Sequence, residues 1–78
     1  PHAALIDFSK LEAEEIGVLM QIINLIYIHN DAIENDPKFI GRNCGMGPKR
    51  CAGIINSLIN KNAIFLTDEG KLFKNRCR

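Results

Sequence analysis

Asp36-Pro37-Lys38-Phe39-Ile40-Gly41-Arg42-Asn43-Cys44-Gly45-Met46-Gly47-Pro48-Lys49-Arg50-Cys51 contains two helix starts separated by a glycine turn. An Asp36 carboxylate can accept from the free amides of a first helical turn. Pro37 suits the first helical position, where its missing N–H costs nothing. The spacing predicts a short helix from Pro37 to about Cys44, with Phe39 and Ile40 as its apolar contacts. Gly45-Met46-Gly47 reads as a tight turn, because glycine tolerates positive φ. Pro48 repeats the start signal. From there Cys51, Ile54, Ile55, Leu58 and Ile59 fall at i, i+3, i+4, i+7 and i+8, the apolar stripe of an amphipathic helix ending near Asn60. The other face carries Lys49, Arg50, Gly53, Asn56, Ser57 and Asn60. Two helices joined this way make a helix-turn-helix.

Working outward, Ser9-Lys10-Leu11-Glu12 fits a capping box, and the acids at positions 12, 14 and 15 suit the positive end of a helix dipole. A first helix is expected from there to about Asn30, with Ile16, Leu19, Ile23 and Ile26 in one apolar row. Met20, Ile22, Leu25, Tyr27 and Ile28 spread apolar surface almost all the way round. Such a helix is central to a core, or is covered on a second side by another chain or by Ala3 to Phe8, read as a short strand or arm. Downstream, Asn60-Lys61-Asn62 stops the third helix. Ala63 to Thr67 reads as a strand, Asp68-Glu69-Gly70 as a turn and Lys71 to Asn75 as the returning strand. The expected fold class is mainly α with a β-hairpin: a winged helix-turn-helix of three helices and a two- or three-stranded wing sheet. It forms one domain over residues 1–78.

With 46% hydrophobic and 24% charged residues in 78, the chain is globular rather than disordered. The apolar run from Ile16 to Ile28 is broken by Gly17, Gln21 and Asn24 and is too short to span a bilayer. A secretory leader is not expected from the first residues. Three cysteines, Cys44, Cys51 and Cys77, make no even disulfide set, which favours a reducing cytoplasm. His29 with Cys44 and Cys51 falls short of four zinc ligands, so no metal or cofactor is expected. No phosphate loop, dinucleotide fingerprint or metalloprotease motif occurs, and an enzyme is not expected.

The net charge of +1 conceals a division. Residues 1–36 carry seven acids and one base, whereas residues 37–78 carry nine bases and two acids. A polyanion would favour the second half. In a helix-turn-helix the second helix of the motif lies in the DNA major groove with its N-terminal residues on base edges. Arg50, Asn56 and Asn60 are the base-reading candidates, with Asn60 also readable as a helix stop, and Lys49 is a phosphate contact. Lys71, Lys74 and Arg76 on the wing would reach neighbouring phosphates or the minor groove. The bland reading of the same residues is a solvated surface with charges paired between the halves. The rival function is a protein-interaction module, used for dimerisation or for docking a replication or regulatory partner on the same scaffold.

Several short motifs carry a family resemblance. They are Leu11-x5-Gly17-x-Leu19, Leu25-Ile26-Tyr27, Asp36-Pro37, Cys44-Gly45-x-x-Pro48-Lys49-Arg50 and Phe65-Leu66-x3-Gly70-Lys71-Leu72-x2-Asn75-Arg76. From about Asp7 to Arg76 the chain resembles the YdaU-like family of phage-derived proteins, which groups with the N-terminal domains of phage replisome organisers and replication initiators. The resemblance implies a phage or prophage winged-helix domain acting in DNA replication or its control. It places Lys49 and Arg50 at the start of the recognition helix, and Gly70 and Arg76 in the wing. Cys51 stands where the family often has a bulky aromatic, and Val18 follows Gly17 in place of a small residue. Family members are often longer, so the chain is expected to be one domain of a larger protein. The partners implied are double-stranded DNA and either a second copy or a replication protein.

Overall fold

The computed structural model describes residues 8–74. After a 3-10 turn at Phe8–Lys10 come α1 (Ala13–His29), β1 (Ile33–Glu34), α2 (Pro37–Cys44), α3 (Pro48–Asn60), β2 (Phe65–Leu66) and β3 (Lys71–Phe73). The sheet is antiparallel with order β1-β3-β2. Ile33 faces Leu72 and Glu34 faces Lys71 on one side of β3, while Phe65 faces Phe73 and Leu66 faces Leu72 on the other. Three helices with a β2–β3 hairpin closed onto a strand from between α1 and α2 form a winged-helix arrangement, the fold class expected from the sequence.

The helix-turn-helix follows its local signals. Asp36 accepts from the Phe39 N–H at 3.2 Å and Pro37 opens α2. The helix closes at Gly45, whose φ of 74° is costly for any residue with a Cβ. The Met46 N–H donates to the Gly41 carbonyl at 2.9 Å, folding the turn tightly back on α2. Gly41 is buried, and a Cβ there would meet the Met46 carbonyl oxygen at 2.8 Å. Absence of a side chain at 41 is therefore what lets the turn close.

The cap of α1 and the bounds of the wing strands are corrected. Ser9 is not the N-cap of α1; it lies in the 3-10 turn, and the cap is Glu12, whose N–H donates to Glu15 Oε1 at 2.9 Å. The capping box thus runs three residues later, because Glu15 can also face α3 while it caps. The third strand of the sheet, Ile33–Glu34, had no signal of its own, since two residues carry no period. The strands are also shorter than expected, Phe65–Leu66 and Lys71–Phe73. The expected arm at Ala3 to Phe8 falls almost wholly outside the described residues, as does Asn75.

The core sits between α1, α2, α3 and the sheet. Val18, Leu19, Ile22, Ile40, Cys51, Ile55, Leu58, Ile64 and Leu72 are its fully buried side chains. On α1 the buried row is Val18, Leu19, Ile22, Leu25 and Ile26, so Ile16 and Ile23 of the expected row are only half-buried. Phe39 on α2 is exposed, leaving Ile40 as the buried apolar side chain of that helix.

Candidate functional site

The polar side of α3 is two rows, and they behave differently. Lys49, Gly53, Asn56 and Asn60 fall at i, i+4, i+7 and i+11, and all four are exposed. Cys51, Ile55 and Leu58, on the opposite side, are buried. The side chains of Lys49 and Asn56 make no hydrogen bond or ion pair among the described residues. Arg50, Ser57 and Lys61 form the second row, turned toward the acidic start of α1. Arg50 donates through Nε to Glu14 Oε2 at 3.1 Å and makes an ion pair with the same carboxylate through its terminal nitrogen. Lys61 Nζ reaches Glu15 Oε1 at 2.7 Å and the Lys10 carbonyl at 3.1 Å, and the Ser57 hydroxyl donates to Glu15 Oε2.

Glu15 is the buried charged residue of the described core. The Lys61 ammonium, then the Ser57 hydroxyl and the Glu12 amide, hold its carboxyl down from the ordinary 4.5 to about 2. Those donors match its two oxygens, which is how a carboxylate is tolerated between α1 and α3. The Glu14–Arg50 pair is different: both side chains are more than half exposed, so it is weak and screened by salt. Arg50 is tethered rather than locked.

The wing residues divide similarly. Lys71 Nζ lies 3.9 Å from Glu34 Oε2 across the β1–β3 pairing, and Lys74 Nζ lies 4.2 Å from the centroid of the Tyr27 ring on α1. Both cations turn toward the body of the domain, while the hairpin tip exposes Asp68 and Glu69. The tip is closed by the Gly70 N–H donating to the Thr67 carbonyl at 2.9 Å. Arg76 is outside the described residues.

Sequence reading passed over two cations. Lys38 and Arg42 lie at i and i+4 on one face of α2, both exposed and without an ion pair among the described residues. With Lys49 they place three uncommitted positive charges on the helix-turn-helix itself. Their i, i+4 spacing was the available signal.

Two open clefts flank these elements. One, of about 480 Å³, lies between α1 and the α2–α3 turn and is edged by Glu14, Gln21, Asn43, Met46 and Arg50. The other, of about 310 Å³, is lined by Leu25, His29, Ile33, Asp36, Phe39 and Lys71. No hydrogen bond links His29 to Asp36 among the described residues. Burial pushes the Cys44 and Cys51 thiols up, leaving little thiolate at neutral pH. No cluster that could hold a metal ion occurs among the described residues. No described helix is long and apolar enough to cross a membrane. Comparisons with family models, curated proteins and solved structures find no match.

Proposed function

We propose that this chain is a non-enzymatic, DNA-binding winged-helix domain. Its α3 would lie in the major groove, with Lys38 and Arg42 on phosphates beside it. The observation that carries this reading is the open row Lys49, Gly53, Asn56 and Asn60 on the second helix of a helix-turn-helix. Asparagine is the side chain that pairs bidentately with adenine, and an exposed glycine between the polar residues lets backbone approach a base edge or phosphate. Glycine in mid-helix costs about 1 kcal/mol relative to alanine. With no neighbour within 4 Å of a Cβ at Gly53, folding gives no reason for that cost.

Arg50 joins the interface by exchanging Glu14 for a phosphate, a swap that costs little because the pair is exposed. The wing has the smaller share, since Lys71 and Lys74 must leave Glu34 and Tyr27 and the tip is acidic. The motif resemblance adds the setting: a phage or prophage protein, in a reducing cytoplasm, acting in replication initiation or its regulation. The rival, a protein-docking module, is favoured by one observation, the Glu14–Arg50 pair that neutralises part of the basic surface.

Fluorescence anisotropy of a labelled duplex across salt concentrations separates them. About four phosphate contacts, from Lys38, Arg42, Lys49 and Arg50, give a log–log salt slope of roughly −3 to −4. Lys49→Glu with Arg42→Glu abolishes binding. Absence of binding at low salt would discard the DNA reading in favour of docking.

A further inference from the structure

Ala13, Gly17, Met20, Asn24 and Tyr27 recur along α1 at alternating spacings of four and three residues, and every one is exposed. That alternation is the 3.5-residue period of a two-helix seam. The seam lies opposite Val18, Ile22 and Leu25, which pack into the core. Met20 is 52% exposed, Tyr27 70% and the adjoining Ile28 66%, so the large apolar side chains of the seam and its flank are open.

Side-chain size is graded along the seam, from alanine and glycine at one end to asparagine and tyrosine at the other. Turned end over end about a two-fold axis through Met20, the seam meets itself small against large. Ala13 then faces Tyr27, Met20 faces Met20, and Gly17 and Asn24 oppose each other one residue out of register. A parallel pair would set Tyr27 against Tyr27 and Ala13 against Ala13, crowding one end and leaving a void at the other. Charge makes the same choice. Lys74 over the Tyr27 ring places a cation beside the seam at that end, and Glu12 is exposed at the Ala13 end. End-over-end pairing brings Lys74 of each copy toward Glu12 of the other. Asn24, the polar residue within the seam, opposes slippage of the register.

We propose that α1 is the self-association surface of this chain: two copies pair antiparallel along Ala13, Gly17, Met20, Asn24 and Tyr27 into an isologous dimer. The seam spans roughly 21 Å of helix. One helix pair of that length is a small interface, so the dimer is concentration-dependent. The proposal is independent of nucleic-acid binding and is tested without it.

Sedimentation velocity of the whole chain, from low to high micromolar concentration, reads a reversible monomer–dimer equilibrium. Met20→Glu and Met20→Lys each place like charges across the axis and raise the dimer dissociation constant by roughly a hundredfold or more. Mixing the two variants in equal amounts restores the dimer. Ala13→Tyr alone sets tyrosine against tyrosine and gives a monomer, and adding Tyr27→Ala exchanges the two ends and restores pairing. Circular dichroism confirms that each variant keeps its helices. A wild-type chain monomeric throughout overturns the proposal, as does a dimer indifferent to both Met20 changes. Charge rescue without size-swap rescue overturns the antiparallel arrangement.

Discussion

Replacing Gly41 by alanine sets two known effects against each other. In an α-helix interior, glycine to alanine is worth about 1 kcal/mol of added stability. At Gly41 the new methyl would lie 2.8 Å from the Met46 carbonyl oxygen, 3.1 Å from Cys51 Cβ and 3.2 Å from the Gly47 carbonyl oxygen. Ordinary contact begins at 3.4 Å, and two of the three neighbours are backbone that cannot swing aside. The same turn carries the Met46 N–H to Gly41 carbonyl bond, so relief by moving the turn strains that bond. Overpacking of this kind costs up to about 3 kcal/mol, leaving a net loss of about 2 kcal/mol. For a domain of this size that lowers the melting temperature by roughly 10 °C. Gly53→Ala is the matched control: mid-helix, nothing within 4 Å, and a gain of about 1 kcal/mol. Thermal and urea unfolding followed by circular dichroism measure both. A Gly41→Ala chain as stable as wild type or more so would refute the close approach of the turn to α2.

Further outcomes follow from the polar rows of α3. Gly53→Ala, though stabilising, weakens duplex binding in an anisotropy titration, separating the cost of that glycine from its use. Glu14→Gln releases Arg50, so duplex affinity rises roughly two- to fivefold at low salt and the salt slope steepens by about 0.9; an unchanged slope would leave Arg50 outside the interface. Glu15 has its carboxyl lowered to about 2, so its contribution to stability is complete above about pH 4.5 and is lost as pH falls through about 2. Glu15→Gln accordingly lowers the melting temperature at neutral pH by roughly 5–10 °C, and the gap to wild type closes as the pH approaches 2. A gap that persists unchanged into acid would place the loss in packing rather than charge.

How much of this was legible depended on the range of the interaction. Asp36-Pro37 and Gly47-Pro48 act within a few residues, and both helices they open, Pro37–Cys44 and Pro48–Asn60, begin where those signals put them. The cap of α1 was displaced because Ser9 and Glu12 both offer a capping oxygen. Glu15 resolved the choice by facing Ser57 and Lys61 on α3, which no local window contains. Ile33–Glu34 becomes a strand only because Leu72 and Lys71 arrive beside it. The site shows the same division. That α3 has a polar side was evident from period alone. Arg50 and Lys61 belong to a row tied to α1, leaving Lys49 and Asn56 in an open row, and that partition depends on residues more than thirty positions away.

The most direct test of the central claim is a ¹⁵N chemical-shift titration of the chain with a short duplex at low salt. Perturbations are expected along Lys49, Gly53, Asn56 and Asn60, with the amides around Lys38 and Arg42 moving beside them. The wing tip at Asp68 and Glu69 should stay nearly still. Perturbations confined to α1, or no perturbation at any duplex concentration, would contradict α3 as the DNA-reading helix.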